Sequence, residues 1–212
     1  MHRAIDPAIL FWGTPVVLIS TLNEDGTPNL APMSSAFWLA DRCILGLIAH
    51  SQTTANLIRT GECVLNLVSD DMSVNVNGIA RTTGSKVLSP FKEGAGYVHE
   101  PDKFGKAMLE PLPSEVVSPP RASKCPVQME AKLVATHKVM EDVPQYSDFI
   151  VTLEVKIVRT HVSEDIIMEG YDNRIDPDKW KPMIMSFQRL YGLRNELAPS
   201  KLAQIDEEKY RM

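Results

Sequence analysis

Cysteine is scarce in this chain of 212 residues, which contains only Cys43, Cys63 and Cys125. The three cysteines are widely spaced and none belongs to a C-x-x-C pair. Such an odd, scattered set fits neither a disulfide framework nor a zinc site. We therefore expect free thiols, no bound metal ion, and a reducing, cytoplasmic location.

Positive charge and long apolar runs are also lacking. The net charge is -5, and no cluster of Lys and Arg offers the basic surface that nucleic acid requires. No apolar run approaches the roughly 20 residues of a membrane-spanning helix. The N-terminal segment contains Asp6 and Pro7 and lacks a signal-peptide cleavage pattern. We expect a soluble protein that has neither nucleic acid nor a membrane as a partner.

Several catalytic signatures are missing from the sequence. There is no G-x-G-x-x-G after a strand, no phosphate loop, no H-E-x-x-H and no G-x-S-x-G. The five histidines are scattered, and His137 and His161 fall on predicted strands. A lone histidine on a strand is more often structural than catalytic. The residues alone therefore assign no acid, base or nucleophile.

Short apolar and alternating segments predict a mainly β protein. Strands are expected at 14–21, 43–49 and 62–68, with an extended arm at 29–40 in which Pro32 must occupy a sheet edge or a bulge. Two long antiparallel strands are expected at 127–140 and 147–162, and a short one at 181–187. Near-regular spacing of strands favours a closed or nearly closed β-barrel, because closure removes unpaired edges.

Helices should be few and short. They are predicted at 53–60, where Gly61 ends the helix, at 70–80, and briefly at 102–109. An exposed helix is expected from Pro199 and Ser200 to the C-terminus, whereas 82–104 should cross the surface without regular structure. We expect one domain over 1–193, with 194–212 as its helical extension.

The segment SQTTANL crowds hydrogen-bonding side chains into a helix start: Ser51, Gln52, Thr53, Thr54 and Asn56. One such side chain suffices to cap the helix. The same hydroxyl and N–H groups, with the positive end of the helix dipole behind them, also form a phosphate site. The residues alone leave both interpretations open.

Two blocks carry a family resemblance. TPVVLIST, followed by EDGTPNLAPMSSAFW, and SQTTANLIRTGECVLNL resemble the flavin reductase-like proteins with an FMN-binding split β-barrel, a Greek-key barrel. DKFGKAMLEPLPSEVVSPPRASKCPVQMEAKLV resembles a further segment of that family, and FQRLYGL resembles its closing motif more loosely. The resemblance covers roughly residues 10 to 192.

The resemblance implies a homodimer that binds FMN, or FAD as in some branches, at the subunit interface. It implies that SQTTANL holds the phosphate and that residues 31–35 follow the isoalloxazine ring. The basic partner of the phosphate would be Arg59, Lys103 or Arg189, while His161 and Arg189 are weak catalytic candidates. The expected cofactor-binding residues are Ala31, Pro32, Met33, Ser34, Ser35, Ser51, Gln52, Thr53, Thr54, Asn56 and Lys103.

The function implied is that of a flavin-dependent oxidoreductase. It would pass hydride or electrons from NAD(P)H through the flavin to free flavin, oxygen or a partner oxygenase. One alternative is a flavin-binding electron carrier without a nicotinamide site. Another is a structural dimer that has lost its cofactor.

Overall fold

The computed structural model describes residues 1–198 and 200–211. The strands are β1 (Trp12–Pro15), β2 (Val17–Leu22), β3 (Pro28–Met33), β4 (Ala36–Leu39), β5 (Arg42–Ile48), β6 (Glu62–Leu67), β7 (Thr82–Thr83), β8 (Val98–His99), β9 (Pro111–Leu112), β10 (Arg121–Ala122), β11 (Val127–Val139), β12 (Ile150–Val162), β13 (Met183–Ser186) and β14 (Arg189–Gly192). The helices are α1 (Gln52–Thr60), α2 (Ser73–Ile79), α3 (Pro90–Gly94) and α4 (Lys103–Lys106). None of the described helices is long and apolar enough to cross a membrane.

The main sheet has seven strands in the order β3-β2-β6-β11-β12-β5-β4. Its two end strands are consecutive in the chain, and the N–H of Gly46 on β5 bonds the carbonyl of Ser35 in the link between them. The sheet therefore curls into a nearly closed barrel, as predicted. Pro32 lies on β3, an end strand, so its missing N–H removes no bond from an inner ladder.

Alternation along β2 divides the core in two. Val17 and Ile19 face the barrel interior with Leu57 of α1, whereas Val16 and Leu18 pack under α2 and α4 on the other face. β2 is thus buried on both faces, which explains its continuous apolar run. Burying one side chain such as that of Leu57 contributes about 1.5–3 kcal/mol. The core fixes α1 across one end of the barrel.

Several local predictions are confirmed. Helix α1 begins after Ser51 and ends at Gly61, whose φ of 70° is the left-handed conformation that glycine adopts most readily. The two long strands β11 and β12 pair as an antiparallel hairpin. Cys43, Cys63 and Cys125 are buried free thiols.

Two predictions were wrong, and one strand was not predicted. The surface segment 82–104 is not irregular throughout, because it contains α3 and the parallel pair of β7 and β8. The C-terminal segment forms two 3-10 turns, Lys201–Gln204 and Glu207–Tyr210, instead of one helix, and Pro199 lies outside the described residues. The closing motif adds β14, joined to β13 by a tight turn at Phe187 and Gln188.

Candidate functional site

The start of α1 is capped by its own hydroxyls. The Ser51 Oγ accepts from the N–H of Thr54 at 3.2 Å and lies 2.9 Å from the Thr54 Oγ1. The Thr54 hydroxyl donates to the carbonyl of Ile48 at 2.8 Å. Ser51 and Thr54 therefore have a structural task, since together they close the turn between β5 and the helix.

Asn56 fastens α1 to the β2–β3 hairpin. Its Nδ2 donates to the Thr21 Oγ1 at 3.1 Å and to the Asn23 Oδ1 at 2.9 Å, while its Oδ1 accepts from the Gln52 Nε2 at 2.9 Å. The side chain is buried. The amide of Asn56 is thus committed to protein partners.

The hydroxyl of Thr53 keeps a hydrogen that it can donate to a ligand. Its Oγ1 accepts from the Asn29 Nδ2 at 3.2 Å, which leaves its own O–H free to donate. Within the described residues, the N–H groups of Gln52 and Thr53 have no acceptor, as is usual for the first turn of a helix. Among the described residues, three donors at the start of α1 are therefore without an acceptor, and all belong to residues that line the space in front of this helix.

That space is a cleft of about 110 Å³, here called the inner cleft. It lies between the end of β3, the start of α1 and the segment from Ala80 to Lys103. Its lining consists of Ala31, Pro32, Met33, Ile48, Ser51, Gln52, Thr53, Ala80, Thr82, Thr83, Gly84, Lys92, Tyr97 and Lys103. Seven of the eleven expected cofactor-binding residues are thus brought together around one cleft.

Two lysines make the inner cleft electropositive. Lys103 is only 3% exposed, and its Nζ donates to the carbonyl of Thr82 at 3.4 Å. The Lys92 Nζ donates to the Thr83 Oγ1 at 3.1 Å. Burial, reinforced by the charge of Lys92, lowers the pKa of Lys103 to about 8, and burial also lowers the pKa of Lys92. No carboxylate belongs to the described lining, and the charge of Glu100, outside that lining, only partly offsets the lowered pKa of Lys103.

The other expected residues lie outside the lining of the inner cleft. Ser35 donates from its Oγ to the carbonyl of Gly46 at 2.7 Å, and Ser34 neighbours it in the link between β3 and β4. Arg59 is in the last turn of α1, where it donates to the carbonyl of Leu22. Arg189 is exposed on β14. Of the three expected basic partners, the fold places only Lys103 in the cleft.

His161 belongs to a different cluster. Its Nε2 lies 2.7 Å from the Oε1 of Glu130, a buried carboxylate on β11 that also accepts from the N–H groups of residues 115–117. A separate cavity, with Arg121 and Lys124 in its lining, adjoins this histidine. Within this chain, the fold therefore keeps His161 apart from the inner cleft.

Sequence reasoning missed Lys92, Tyr97, Thr82 and Thr83 of the cleft lining. All four belong to the segment that was expected to be irregular. One indication was present, because Ser89 followed by Pro90 is a typical helix start, and α3 begins there with the Ser89 Oγ accepting from the Lys92 N–H. The spacing of the residues gave no sign that this helix faces α1.

Comparison with known proteins agrees with the predicted resemblance. Residues 11–184 match the flavin reductase like domain. Over 195 residues the chain is 37% identical to the uncharacterized protein YdfE of Bacillus subtilis (strain 168), covering 92% of this chain and 91% of YdfE.

Solved structures share the fold. Flavoredoxin of Desulfovibrio vulgaris (Miyazaki F) superposes with a TM-score of 0.75 at 20% identity, over 97% of this chain and 100% of that one. Nitrilotriacetate monooxygenase component B from Bacillus cereus gives 0.72 at 21% identity, over 94% and 99%. The predicted split β-barrel fold is confirmed. The chain belongs to the flavin reductase-like family.

Proposed function

We propose that this protein binds FMN, with the phosphate held in the inner cleft at the start of α1. The carrying observation is the combination of free helix N–H donors with two lysines and no carboxylate in the described lining. A phosphate dianion supplies acceptors for the donors of Gln52 and Thr53 and neutralises Lys92 and Lys103. Each charge-assisted hydrogen bond contributes about 1.5–3 kcal/mol.

The residues divide the work of binding. Thr53 donates its spare hydroxyl hydrogen, and Lys103 supplies a fixed charge because its buried ammonium cannot move into solvent. Ser51, Thr54 and Asn56 keep the first turn of α1 in place, so they act on the phosphate through the helix. We retain Thr54 and Asn56 in the site as positioning residues.

The ring system of a bound FMN would extend out of the inner cleft. Its volume of about 110 Å³ is below the roughly 300–1,000 Å³ of typical ligand pockets, so it suits the phosphate end of the molecule only. Ala31, Pro32 and Met33 lead from the cleft along the end strand β3. The small side chains of Ala31, Ser34 and Ser35 would allow a flat ring to approach the backbone. A second copy of the chain would cover the ring, in a two-fold homodimer.

Bound FMN supplies hydride and electron transfer, and the chain supplies binding, orientation and exclusion of water. We propose a flavin-dependent oxidoreductase that takes NAD(P)H as donor and delivers electrons to free flavin, oxygen or a partner oxygenase. The fold shared with a monooxygenase component supports the last acceptor. The free buried thiols fit a cytoplasmic setting.

The fold shared with flavoredoxin supports an electron carrier as the second candidate. The two functions differ in their response to nicotinamide. The FMN-loaded protein is mixed anaerobically with NADH or NADPH, and the visible flavin absorbance is followed. We expect rapid bleaching; bleaching by dithionite but by neither nicotinamide would favour the carrier.

Binding itself is tested by reconstitution. We expect the protein to become yellow with FMN and to release FMN when denatured. Lys103→Met should weaken loading, whereas Lys132→Met, at an exposed position of β11, should leave it unchanged. A parent protein that stays colourless after incubation with FMN and FAD would contradict flavin binding.

A further inference from the structure

A second cavity, here called the outer cavity, opens beyond the phosphate end of the inner cleft. It measures about 460 Å³ and shares Gln52 and Gly84 with the inner cleft. This space therefore adjoins a phosphate held at the start of α1 on the side of Gln52 and Gly84. Its chemistry therefore bears on whether the site accepts a cofactor longer than FMN.

The junction of the two cavities is narrow. A Cβ added to Gly84 would lie 2.6 Å from the Asn29 Oδ1 and 3.0 Å from the Gln52 Cγ, so this backbone passes close over both side chains. The Asn29 Oδ1 is buried without any hydrogen-bond donor among the described residues, and Asn29 is only 2% exposed. An acceptor thus stands at the junction, and it repels another acceptor such as a phosphate oxygen.

The outer cavity is also acidic. Glu24, Asp25 and Glu100 line it, against Lys86 as the one lysine or arginine in the described lining, with His99 beside them. Asp25 accepts from the N–H and hydroxyl of Thr27, and these hydrogen bonds lower the pKa of its carboxyl, which is therefore ionised near neutral pH. The sign of charge is opposite to that of the inner cleft.

We propose that the outer cavity makes the site selective for a flavin that ends in a phosphate monoester, FMN, over the dinucleotide FAD. The inference rests on the proposed FMN site. FAD carries a second phosphate and an adenosine beyond the first phosphate. That second phosphate would leave the lysines of the inner cleft and face the Asn29 Oδ1 and the carboxylates of Glu24 and Glu100.

The test compares three ligands with three proteins. The parent, Glu24→Gln/Glu100→Gln, and the control Glu169→Gln/Glu196→Gln are prepared without flavin and titrated with FMN, FAD and riboflavin. The control removes the same charge from exposed positions outside the lining of both cavities. Asp25 is left intact because it holds the β2–β3 turn.

We expect the parent to bind FMN at least about tenfold more tightly than FAD, as one repelled or unpaired phosphate implies. The Glu24→Gln/Glu100→Gln variant should bind FAD roughly fivefold more tightly than the parent, a size set by partly screened surface charges. Its FMN affinity should stay within about twofold, and the control should match the parent in every ratio.

Equal affinity of the parent for FMN and FAD would overturn the selectivity while leaving the flavin site intact. If the FMN-to-FAD affinity ratio of Glu24→Gln/Glu100→Gln equals that of the parent, the carboxylates have no part in the selectivity. Failure of every flavin to bind the parent would instead contradict the proposed function itself.

Discussion

Two polar regions of the interior differ in one respect, which is whether their hydrogen bonds are complete. The Glu130 carboxylate accepts from the N–H groups of Glu115, Val116 and Val117 and from His161, at 2.6–3.0 Å. The inner cleft has donors left over and two ammonium groups without a carboxylate among its described residues. The hydrogen bonds around Glu130 are complete within the chain, so this region has a structural role. The inner cleft is complementary to a ligand that the chain does not itself supply.

The pKa values express the same contrast. Burial alone would raise the pKa of Glu130, but the three N–H groups and His161 outweigh it and lower the pKa to about 2. At Lys103, burial dominates and lowers the pKa to about 8. The fold thus favours the charge on Glu130 and disfavours the charge on Lys103. A buried charge that the fold disfavours indicates binding more strongly than one that it satisfies.

The largest effect is expected from Glu130→Ala. Removing the carboxylate leaves three N–H groups and His161 without their acceptor in a buried place, so unfolding should become easier by about 3–5 kcal/mol. Urea denaturation measures this loss. Glu115→Ala, which removes only an exposed ion pair with Arg159, is the matched control and should change stability by less than about 1 kcal/mol. A loss of stability for Glu130→Ala as small as that of the control would mean that the hydrogen bonds of Glu130 do not stabilise the fold.

Acid should remove the stabilising contribution of the same Glu130 carboxylate. Because the pKa of Glu130 lies lower in the folded protein than its ordinary 4.5, its contribution is complete above 4.5 and is lost as pH falls towards about 2. That contribution is about 3 kcal/mol. Denaturation of the parent and of Glu130→Gln at several pH values between neutral and acid checks it. A stability difference that stays constant from neutral to acid would contradict the assignment.

Lys103→Met should weaken FMN binding without lowering stability, whereas Glu130→Ala should lower stability. FMN binding should weaken by about 1.5–3 kcal/mol, or roughly tenfold to 150-fold, because a charged donor is lost. The stability of the flavin-free protein should stay the same or rise, since a buried ammonium whose charge the fold disfavours is removed. In the parent, FMN affinity should fall as pH rises above about 8, where Lys103 loses its charge, and Lys103→Met should lack this dependence. Loss of folding without loss of affinity would place Lys103 among the structural residues.

Asn56→Ala separates positioning from contact. Its amide bonds Thr21 and Asn23, so its loss should lower stability by about 1–3 kcal/mol. FMN affinity, measured on the folded fraction, should fall by a small factor, and riboflavin affinity should not change. An FMN loss as large as that expected for Lys103→Met would show instead that Asn56 reaches the phosphate itself.

Local chemistry made much of the fold predictable. Gly61 predicted the end of α1, and alternating apolar residues predicted the β11–β12 hairpin. The turn before β14 was missed because Phe187 and Gln188 adopt φ of 47° and 61° without the Gly or Asn that usually marks such a turn. Phe187 is held by contacts distant in sequence, since its N–H donates to the carbonyl of Phe11 and its ring packs against Trp12. The local sequence carries no sign of these contacts.

The candidate site was predictable only on one side. Residues contiguous in sequence, 51–56 and 31–35, could be recognised as rich in hydrogen-bonding or small side chains. Lys92 and Tyr97 could not, because their place opposite α1 depends on how the segment after α2 returns across the barrel. The crowding of polar residues in SQTTANL was also ambiguous, since Thr54 and Asn56 serve the fold.

The central claim is that the unfilled donors and charges of the inner cleft receive the flavin phosphate. Riboflavin lacks that group and is otherwise the same ligand, so the ratio of its dissociation constant to that of FMN isolates the claim. At neutral pH, titration of the flavin-free parent should give a ratio of about 100 or more, as two charge-assisted hydrogen bonds imply. Equal affinities for riboflavin and FMN would contradict the account.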